Sequence, residues 1–446
     1  MRPPRSLFRT FTLCLSLVAS GCSAFSQIAP APQPQPGSAR TAELPVQQWL
    51  SQGERTEIPW QVSVSRPMLT FQLKNLVRVM AEIDSSVLQK KSIQHDLHFI
   101  VKVTPEHGEW DHGESYSHIR IDERLNSHGE LQMLADFYLL PGAYTVATIA
   151  YDATTGQRNL SFNRVRVEGS GRDRFSELLD GLPKIEFLGP PDNAAPLGTE
   201  IVLLPLRTQR SIQLDLIVDL STQEERDDAP RLYPYPNLTR PPLGVGDDWP
   251  AGSESKTSRS SRLAAAETNE QARLLQIASI LAALDLQQGC TQVSVLDALR
   301  RRTVLPPTVA SAVDWQNLRH EILSPDKVMV SVADLKGKRE TARFFAEQVE
   351  QRMTQPACKQ SSTNPLHVIA ILSRGINFPS GSEKPRIPPG CDCRVFYLQE
   401  TGRFIGGGDD LKNMFKALAP SLLQFSDPEG FREKLFEFTQ AVARLP

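Results

Sequence analysis

Two oxygen-bearing side chains stand one residue apart at the end of an apolar run near the middle of the chain. The run "LDLIVDLSTQ" covers Leu214 to Gln223, and it carries Asp219 and Ser221 where its apolar part ends. A carboxylate and a hydroxyl on alternate residues of a loop are ligands that a hard divalent cation such as Mg²⁺ prefers. Gln223 follows two residues later with an amide oxygen. This spacing is typical of the start of a metal-coordinating loop.

A second apolar run ends on a residue that opposes metal binding. In "LHVIAILSRGIN", Leu366 to Asn377, Ser373 is followed by Arg374. Arginine carries only hydrogen-bond donors and keeps its positive charge at any working pH. Placed close to a divalent ion, it repels that ion by several kcal/mol, even at an effective dielectric constant of about 20. We therefore expect no metal beside Arg374.

The cysteines of the second half have two interpretations. They are Cys290, Cys358, Cys391 and Cys393. An even number in an oxidising compartment favours two disulfides. Because Cys391 and Cys393 are one residue apart, they are poor partners for each other, and we expect each to pair with one of the other two. The competing interpretation is a four-thiolate zinc site, which typically uses paired Cys-x-x-Cys segments that this sequence lacks.

A polar segment in the first half concentrates histidines and acids. The segment "EHGEWDHGESYSH", Glu106 to His118, is expected to be a loop between strands. Its histidines His107, His112 and His118 are candidate ligands for a transition metal. They lack the i, i+4 spacing of a helical ligand pair, and a polar loop of this kind is usually just solvated. Metal binding by the loop 106–118 stays an alternative.

The elements that must position these residues differ between the two halves of the chain. Residues 56–170 contain short segments in which apolar and polar side chains alternate, separated by Gly, Asn and Pro. Examples are "DLHFIVKVT" (Asp96–Thr104) and "AYTVATIAYD" (Ala143–Asp152). A period of two without helical periodicity predicts an immunoglobulin-like β-sandwich. Residues 171–205 are interpreted as a connector.

After residue 205, the pattern changes to strands that alternate with helices. Buried strands are predicted at Ile212–Leu220 and Leu366–Ser373, and amphipathic helices at Leu263–Leu286 and Pro428–Leu445. This alternation predicts a doubly wound α/β domain over residues 206–446 with a mostly parallel sheet. The expected fold class is therefore α+β multidomain, a β-sandwich followed by a doubly wound, Rossmann-type α/β domain.

The segment Asp219-Leu220-Ser221, the amphipathic helix and the later "ILSRGIN" resemble a von Willebrand factor A domain. The resemblance implies a metal site built from Asp-x-Ser-x-Ser, a threonine of another loop, and the aspartate of a Leu-Ser-Asp-Gly segment. Asp219 and Ser221 match this pattern, whereas Gln223 replaces the second serine and Arg374 replaces the aspartate. No threonine can be placed. The resemblance therefore implies a degenerate, metal-free site at these positions. Because the two strands are neighbours in the family's sheet, it also implies an ion pair between Asp219 and Arg374 at the carboxyl edge. The alternative is that Asp219 caps a turn and Arg374 is solvated.

A Pro-, Ser- and Gly-rich insertion, residues 224–262, separates the Asp219 loop from the next predicted helix. It carries Tyr233, Tyr235 and Trp249. Aromatic side chains in such a loop often make protein contacts. The insertion is therefore a candidate interaction loop, and the alternative is a disordered insertion without contacts.

The beginning of the chain predicts export. Basic residues precede the apolar run Phe11–Val18, which is too short to span a bilayer, so a secretory signal is favoured. The small residues before Cys22 resemble the lipobox of bacterial lipoproteins. We expect residues 1–22 to be the signal peptide and lipobox, with Cys22 lipidated. The Pro-rich residues 23–55 are expected to be a linker. The protein is thus expected in the cell envelope or periplasm, anchored to a membrane by lipid.

Net charge and missing motifs reduce the classes of function that we expect. The chain has 49 basic and 51 acidic residues and a net charge of −2, which gives no reason to expect a nucleic-acid partner. It lacks a Gly-x-Ser-x-Gly nucleophile elbow, and we expect no enzyme, no catalytic residue and no cofactor. The expected function is non-enzymatic protein–protein interaction or adhesion-like scaffolding in the envelope, with an unknown protein partner. The alternatives are a Mg²⁺-dependent adhesion domain and a metal-binding protein that uses the loop 106–118.

Overall fold

A computed structural model describes fifteen segments of the chain. They are residues 44–89, 94–110, 113–121, 130–169, 182–188, 204–208, 210–221, 270–286, 289–322, 337–354, 365–375, 384–386, 388–389, 391–401 and 410–445. The predicted signal peptide with Cys22 and the insertion 224–262 lie outside these residues.

Strands predominate in the described part of the chain. The strands are β1 (Gln61–Val64), β2 (Met68–Leu69), β3 (Asn75–Asp84), β4 (His95–Pro105), β5 (Ser115–Ile121), β6 (Glu130–Leu139), β7 (Gly142–Asp152), β8 (Arg158–Val167), β9 (Ile185–Phe187), β10 (Leu204–Leu206), β11 (Ile212–Asp219), β12 (Leu284–Leu286), β13 (Gly289–Asp297), β14 (Arg302–Val309), β15 (Leu366–Ser373), β16 (Cys393–Glu400) and β17 (Ser421–Phe425). The α-helices are α1 (Val46–Gln52), α2 (Ser85–Gln89), α3 (270–282), α4 (Trp315–Ile322), α5 (Lys338–Thr354), α6 (Asp410–Met414) and α7 (Pro428–Ala443).

Two antiparallel sheets share the core of the first half. One has the order β5-β4-β7-β8, and the other has the order β1-β3-β6-β9 with β2 beside β3. Alternate residues of each strand point into the core because side chains on a strand alternate between its two faces. On β3 these are Val77, Val79 and Ala81, which lie in one cluster with Val101 and Val103 of β4. The alternation seen in the sequence is thus the alternation of buried and outward positions.

A six-stranded sheet with the order β14-β13-β11-β15-β16-β17 organises the second half. β11 lies at its centre, parallel to β13 on one side and to β15 on the other. Every residue of β11 is buried, as expected for a strand with neighbours on both edges and a core on both faces. Helices α3 and α7 contribute to the core on one face, and α5 and α6 to the core on the other.

Helix α7 shows why the local sequence forms these elements. Asp427 caps its first turn by accepting a hydrogen bond from the backbone N–H of Gly430 at 2.8 Å, and Pro428 occupies the first helical position. The apolar face that the spacing predicts is buried, and it consists of Phe431, Leu435, Phe438 and Val442.

An aromatic cluster joins the two halves. Phe71 lies between β2 and β3 and is 1% exposed. Its ring centroid is 6.3 Å from that of Phe425 on β17 and 6.0 Å from that of Phe431 on α7. Large aromatic side chains bury 150–250 Å² each and are a major source of packing energy. Phe71 therefore ties the antiparallel sheets to the core of the six-stranded sheet.

The fold class predicted from the sequence, with its doubly wound, Rossmann-type second domain, is wrong. The described chain is mostly β-structure and includes several antiparallel sheets. In a doubly wound fold a helix connects successive strands, whereas a turn at residues 298–301 connects β13 to β14, and these two strands run antiparallel. The sequence does not predict β14, because this strand contains Pro306 and Pro307. Proline is tolerated in a sheet mainly on edge strands, which is where β14 lies.

Candidate functional site

Three strand ends meet at Asp219. The residue closes β11, whose parallel neighbours β13 and β15 end beside it at Asp297 and Ser373. The side chains of Asp219 and Ser373 are fully buried, and Ser221 is 2% exposed. The carboxyl ends of parallel strands collect at this edge, which makes it a candidate binding site. Asp219 and Ser221, two of the predicted site residues, lie in contact here.

Both oxygens of the Asp219 carboxylate accept hydrogen bonds from donors of its own chain. Its Oδ1 accepts hydrogen bonds from Ser221 Oγ at 2.7 Å, from the Ser221 backbone N–H at 3.2 Å and from the Ala298 backbone N–H at 3.2 Å. Its Oδ2 accepts one from Ser373 Oγ at 3.2 Å. We call these groups, Asp219, Ser221, Ser373 and the N–H of Ala298, the Asp219 cluster.

The two serine hydroxyls of the Asp219 cluster are also acceptors. Ser221 Oγ accepts from the backbone N–H of Leu299 at 3.0 Å, and Ser373 Oγ accepts from that of Gly375 at 3.2 Å. Gly375 has a φ of 95°, a left-handed conformation that glycine adopts without steric cost. A divalent cation would have to replace these N–H and O–H donors, because donors and a metal ion compete for the same oxygen lone pairs. The arrangement is suited to linking three strand ends.

Burial is the main influence on the pKa of the Asp219 carboxyl. It raises the pKa of Asp219 from its ordinary value of 3.8 to about 6, and the nearby Asp297 adds to the increase. The hydrogen bonds from Ser221 and Ala298 act in the opposite direction, because they stabilise the charged form. The increase shows that desolvation outweighs the stabilisation that the donors give to the negative charge.

The predicted ion pair between Asp219 and Arg374 is wrong. Arg374 contacts Glu270 of α3, and its Nε lies 3.3 Å from Glu400 Oε2 at the end of β16. The cause is the alternation of side chains along a strand. Because Ser373 turns its hydroxyl towards Asp219, the next residue points to the other face of the sheet.

Arg374 belongs to a buried network of four charges instead. Arg273 Nη2 lies 3.3 Å from Glu400 Oε1, and the side chain of Glu400 is 1% exposed. Burial raises the pKa of Glu270, while Arg374 and Arg273 oppose that increase. Two arginines and two glutamates therefore balance one another between α3 and the sheet. Sequence reasoning missed this network because Glu270 and Glu400 are distant from Arg374 along the chain.

A second cluster lies on the outer face of the β4–β5 pair. His98 and His118 are direct cross-strand partners, and their rings stack at 4.8 Å. His118 Nε2 contacts a carboxylate oxygen of Asp96, and His98 Nδ1 lies 2.9 Å from the hydroxyl of Tyr116. One ligand atom from each of Asp96, His98 and His118 lies within 4.8 Å of the others.

The cluster of Asp96, His98 and His118 differs from the predicted histidine site. Of the predicted ligands, His118 is a member, His107 lies in the turn that follows β4, and His112 lies outside the described residues. The hydrogen bond from His118 lowers the pKa of Asp96, and burial lowers the pKa of His98. The alternation of Asp96 and His98 on one strand was readable from the sequence, but the register with β5 was not.

The predicted pairing of the cysteines also needs correction. Cys391 and Cys393 are bonded to each other, with their Cα atoms 5.2 Å apart, which is within the usual span of a disulfide. Cys290 is also disulfide-bonded, and Cys358 lies outside the described residues. The expectation that Cys391 and Cys393 each pair with a distant cysteine is therefore wrong.

Gln223 and the candidate interaction loop with Tyr233, Tyr235 and Trp249 lie outside the described residues. Among the residues that the structure describes, no helix is long and apolar enough to cross a membrane.

Comparisons with known proteins leave the chain without an assigned family. No family model matches it, and no curated protein matches it either. Among solved structures, a putative β-galactosidase from Bacteroides fragilis aligns with a TM-score of 0.18 and 8% identity, over 80% of this chain and 44% of that one. The chain thus spans less than half of that structure, and a similarity at this level carries no functional argument. The resemblance to von Willebrand factor A domains stays a prediction.

Proposed function

We propose that the chain is a non-enzymatic protein of the cell envelope that acts through protein–protein contact. The Asp219 cluster serves as a rigid support at the carboxyl edge of the six-stranded sheet. The insertion 224–262, which follows the cluster in sequence, supplies the aromatic contacts. Export and lipidation at Cys22 are part of the same proposal and follow from the first 22 residues.

One observation carries this proposal: the Asp219 carboxylate already accepts four hydrogen bonds from within the chain. A fully buried carboxylate that accepts four hydrogen bonds is poorly suited to bind a substrate or a bridging cation, since either would have to compete with those donors. A structural role for Asp219 supports metal-independent surface contact over metal-dependent adhesion at this edge.

The test compares partner capture with and without divalent cations. The full-length chain is immobilised in detergent and exposed to envelope extract in Mg²⁺ or in EDTA. Asp219→Asn is the variant, and deletion of residues 224–262 is the second arm. We expect the same proteins to be retained in Mg²⁺ and EDTA and by Asp219→Asn, and to be lost on deletion. Retention that needs both Mg²⁺ and Asp219 would instead indicate a metal-dependent adhesion site.

The cluster of Asp96, His98 and His118 favours a second candidate function, transition-metal binding at the envelope. Two imidazoles and one carboxylate form a ligand set that is common for Zn²⁺ and for other first-row metals. The three ligand atoms are already close together, so binding would need little rearrangement.

Zinc titration of the purified chain tests this second candidate. We expect about one Zn²⁺ per chain to be lost in His98→Ala, whereas His107→Ala keeps it because His107 lies outside the cluster. Equal zinc binding by the wild type and His98→Ala, or loss of binding in His107→Ala, would reject the cluster as the site.

A further inference from the structure

A histidine lies against one sulfur of the Cys391–Cys393 disulfide. His367 and Cys393 are register partners on the parallel strands β15 and β16. This pairing holds His367 Nδ1 3.8 Å from Cys393 Sγ. Cys391, Cys393 and His367 are all partly exposed, so a reactant from solution can reach them.

A buried carboxylate orients this histidine. Asp215 of β11 is 2% exposed, and its Oδ2 lies 2.5 Å from His367 Nε2. Because a carboxylate only accepts hydrogen bonds, Nε2 carries the proton, and the lone pair of Nδ1 faces the sulfur. Other charges near this group are Arg352 of α5, which interacts with Asp215, and the exposed Arg210–Asp392 pair at 3.3 Å. Asp215, His367 and Cys393 thus form a line of carboxylate, imidazole and sulfur.

A purely structural role explains this disulfide poorly. A disulfide stabilises a fold mainly by removing the loop entropy of the unfolded chain, and the effect grows with the number of residues enclosed. Here the sequence separation is 2, close to the smallest loop that a disulfide can close. The bridge restrains little of the chain, while a histidine with a buried carboxylate behind it is the arrangement that activates sulfur nucleophiles.

We propose that the Cys391–Cys393 disulfide is a redox-active pair that exchanges with cysteine thiols of a partner protein. His367 accepts and returns the proton, and Asp215 is the positioning residue. This exchange activity goes beyond the proposed non-enzymatic role, does not depend on it, and is tested separately from it.

The exchange balances in two steps. A partner thiol gives its proton to His367 Nδ1, and its sulfur attacks Cys391 Sγ. The Cys391–Cys393 bond breaks, a mixed disulfide forms at Cys391, and Cys393 leaves as a thiolate paired with the imidazolium. A second partner thiol then attacks the partner's sulfur in the mixed disulfide, Cys391 leaves as a thiolate and takes up the proton of that thiol, and the partner departs as a disulfide. The two electrons reside in the reduced Cys391–Cys393 pair, and a second protein disulfide re-oxidises it by the same chemistry in reverse.

The test follows the two disulfides of the full-length oxidised chain separately. The chain is incubated in graded reduced glutathione, alkylated, and digested, so that mass spectrometry counts free thiols at Cys391, Cys393 and Cys290. We expect the Cys391–Cys393 pair to open at glutathione concentrations that leave Cys290 bonded. Reduction of Cys290 first, or resistance of the Cys391–Cys393 pair in folded protein, would overturn the proposal.

Variants separate proton transfer from simple exposure of the sulfurs. In His367→Gln, we expect the rate at which reduced glutathione opens the Cys391–Cys393 disulfide at pH 7 to fall by about tenfold or more. We also expect the midpoint of the plot of this rate against pH to move to higher pH. Asp215→Asn should show a smaller loss of the same kind, which keeps the test valid if the glutamine variant does not fold. His320→Gln, at an exposed position on α4, is the matched control and should match the wild type. An unchanged rate and pH profile in His367→Gln contradicts the proposal, and Asp215→Asn is judged by the same criterion if the glutamine variant does not fold. Tight binding of Zn²⁺ by the reduced cysteines that blocks exchange also contradicts it.

Discussion

Replacing Asp219 by asparagine should change how the stability of the protein depends on pH. The side chain is fully buried, and burial raises its pKa from 3.8 to about 6. Asparagine has nearly the same shape and can still accept from Ala298 and Ser221, but it carries no titratable proton. The free energy of unfolding of Asp219→Asn minus that of the wild type therefore isolates the ionisation of this one group.

The sign follows from which state holds the proton. Between pH 4 and pH 6 the folded chain keeps the Asp219 proton while the unfolded chain releases it, so increasing pH favours unfolding. The loss is absent below about pH 4 and complete above about pH 6. A rise in pKa of about two units corresponds to about 3 kcal/mol. The stability of Asp219→Asn relative to the wild type should thus increase by about 3 kcal/mol from pH 4 to pH 7.

Urea unfolding at several pH values, followed by tryptophan fluorescence, measures this difference. Asp392→Asn is the matched control, because the side chain of Asp392 is 54% exposed. Because this side chain forms a surface ion pair with Arg210, its replacement should cost less than about 1 kcal/mol at each pH measured. A flat curve for Asp219→Asn, or a variant that becomes relatively less stable as pH increases, would refute the assignment of Asp219 as a desolvated structural carboxyl.

Two further substitutions test the packing around the site, with urea unfolding at pH 7 as the measurement. Arg374→Met removes a partner of the buried Glu400 and should lower the free energy of unfolding by about 3–5 kcal/mol, whereas Lys434→Ala, which breaks a surface ion pair, should cost less than about 1 kcal/mol. Equal losses in these two variants would show that the network of Arg374 is not desolvated. Phe71→Ala should cost about 3–5 kcal/mol because it empties the aromatic contact between the two halves, while Val309→Ala, at a position 45% exposed, should cost less than about 0.5 kcal/mol. A small effect of Phe71→Ala would mean that the halves are held together elsewhere.

Local periodicity was enough to find the elements that carry the site. The apolar run before Asp219 is β11, the run before Arg374 is β15, and the spacing of Phe431 and Leu435 identified the buried face of α7. These features depend on residues close in sequence, where strand and helix periods leave a direct trace.

The wrong predictions concern structure that depends on contacts between segments far apart in the chain. The sequence gives no sign that residues 298–301 connect two strands. They nevertheless form the turn between β13 and β14, and the N–H of Ala298 in this turn donates to Asp219. The orientation of Arg374 was partly readable, since a residue after Ser373 must face the other way. Its partners Glu270 and Glu400, however, are set by packing between segments far apart in the chain.

The most direct test of the central claim is a magnesium titration of the purified chain by isothermal calorimetry, with Asp219→Asn beside it. If the donors of Ser221, Ser373 and Ala298 occupy the Asp219 carboxylate, the wild type and the variant should give the same heats, with no saturable site that depends on Asp219. One Mg²⁺ bound per wild-type chain and none per Asp219→Asn chain would contradict the account.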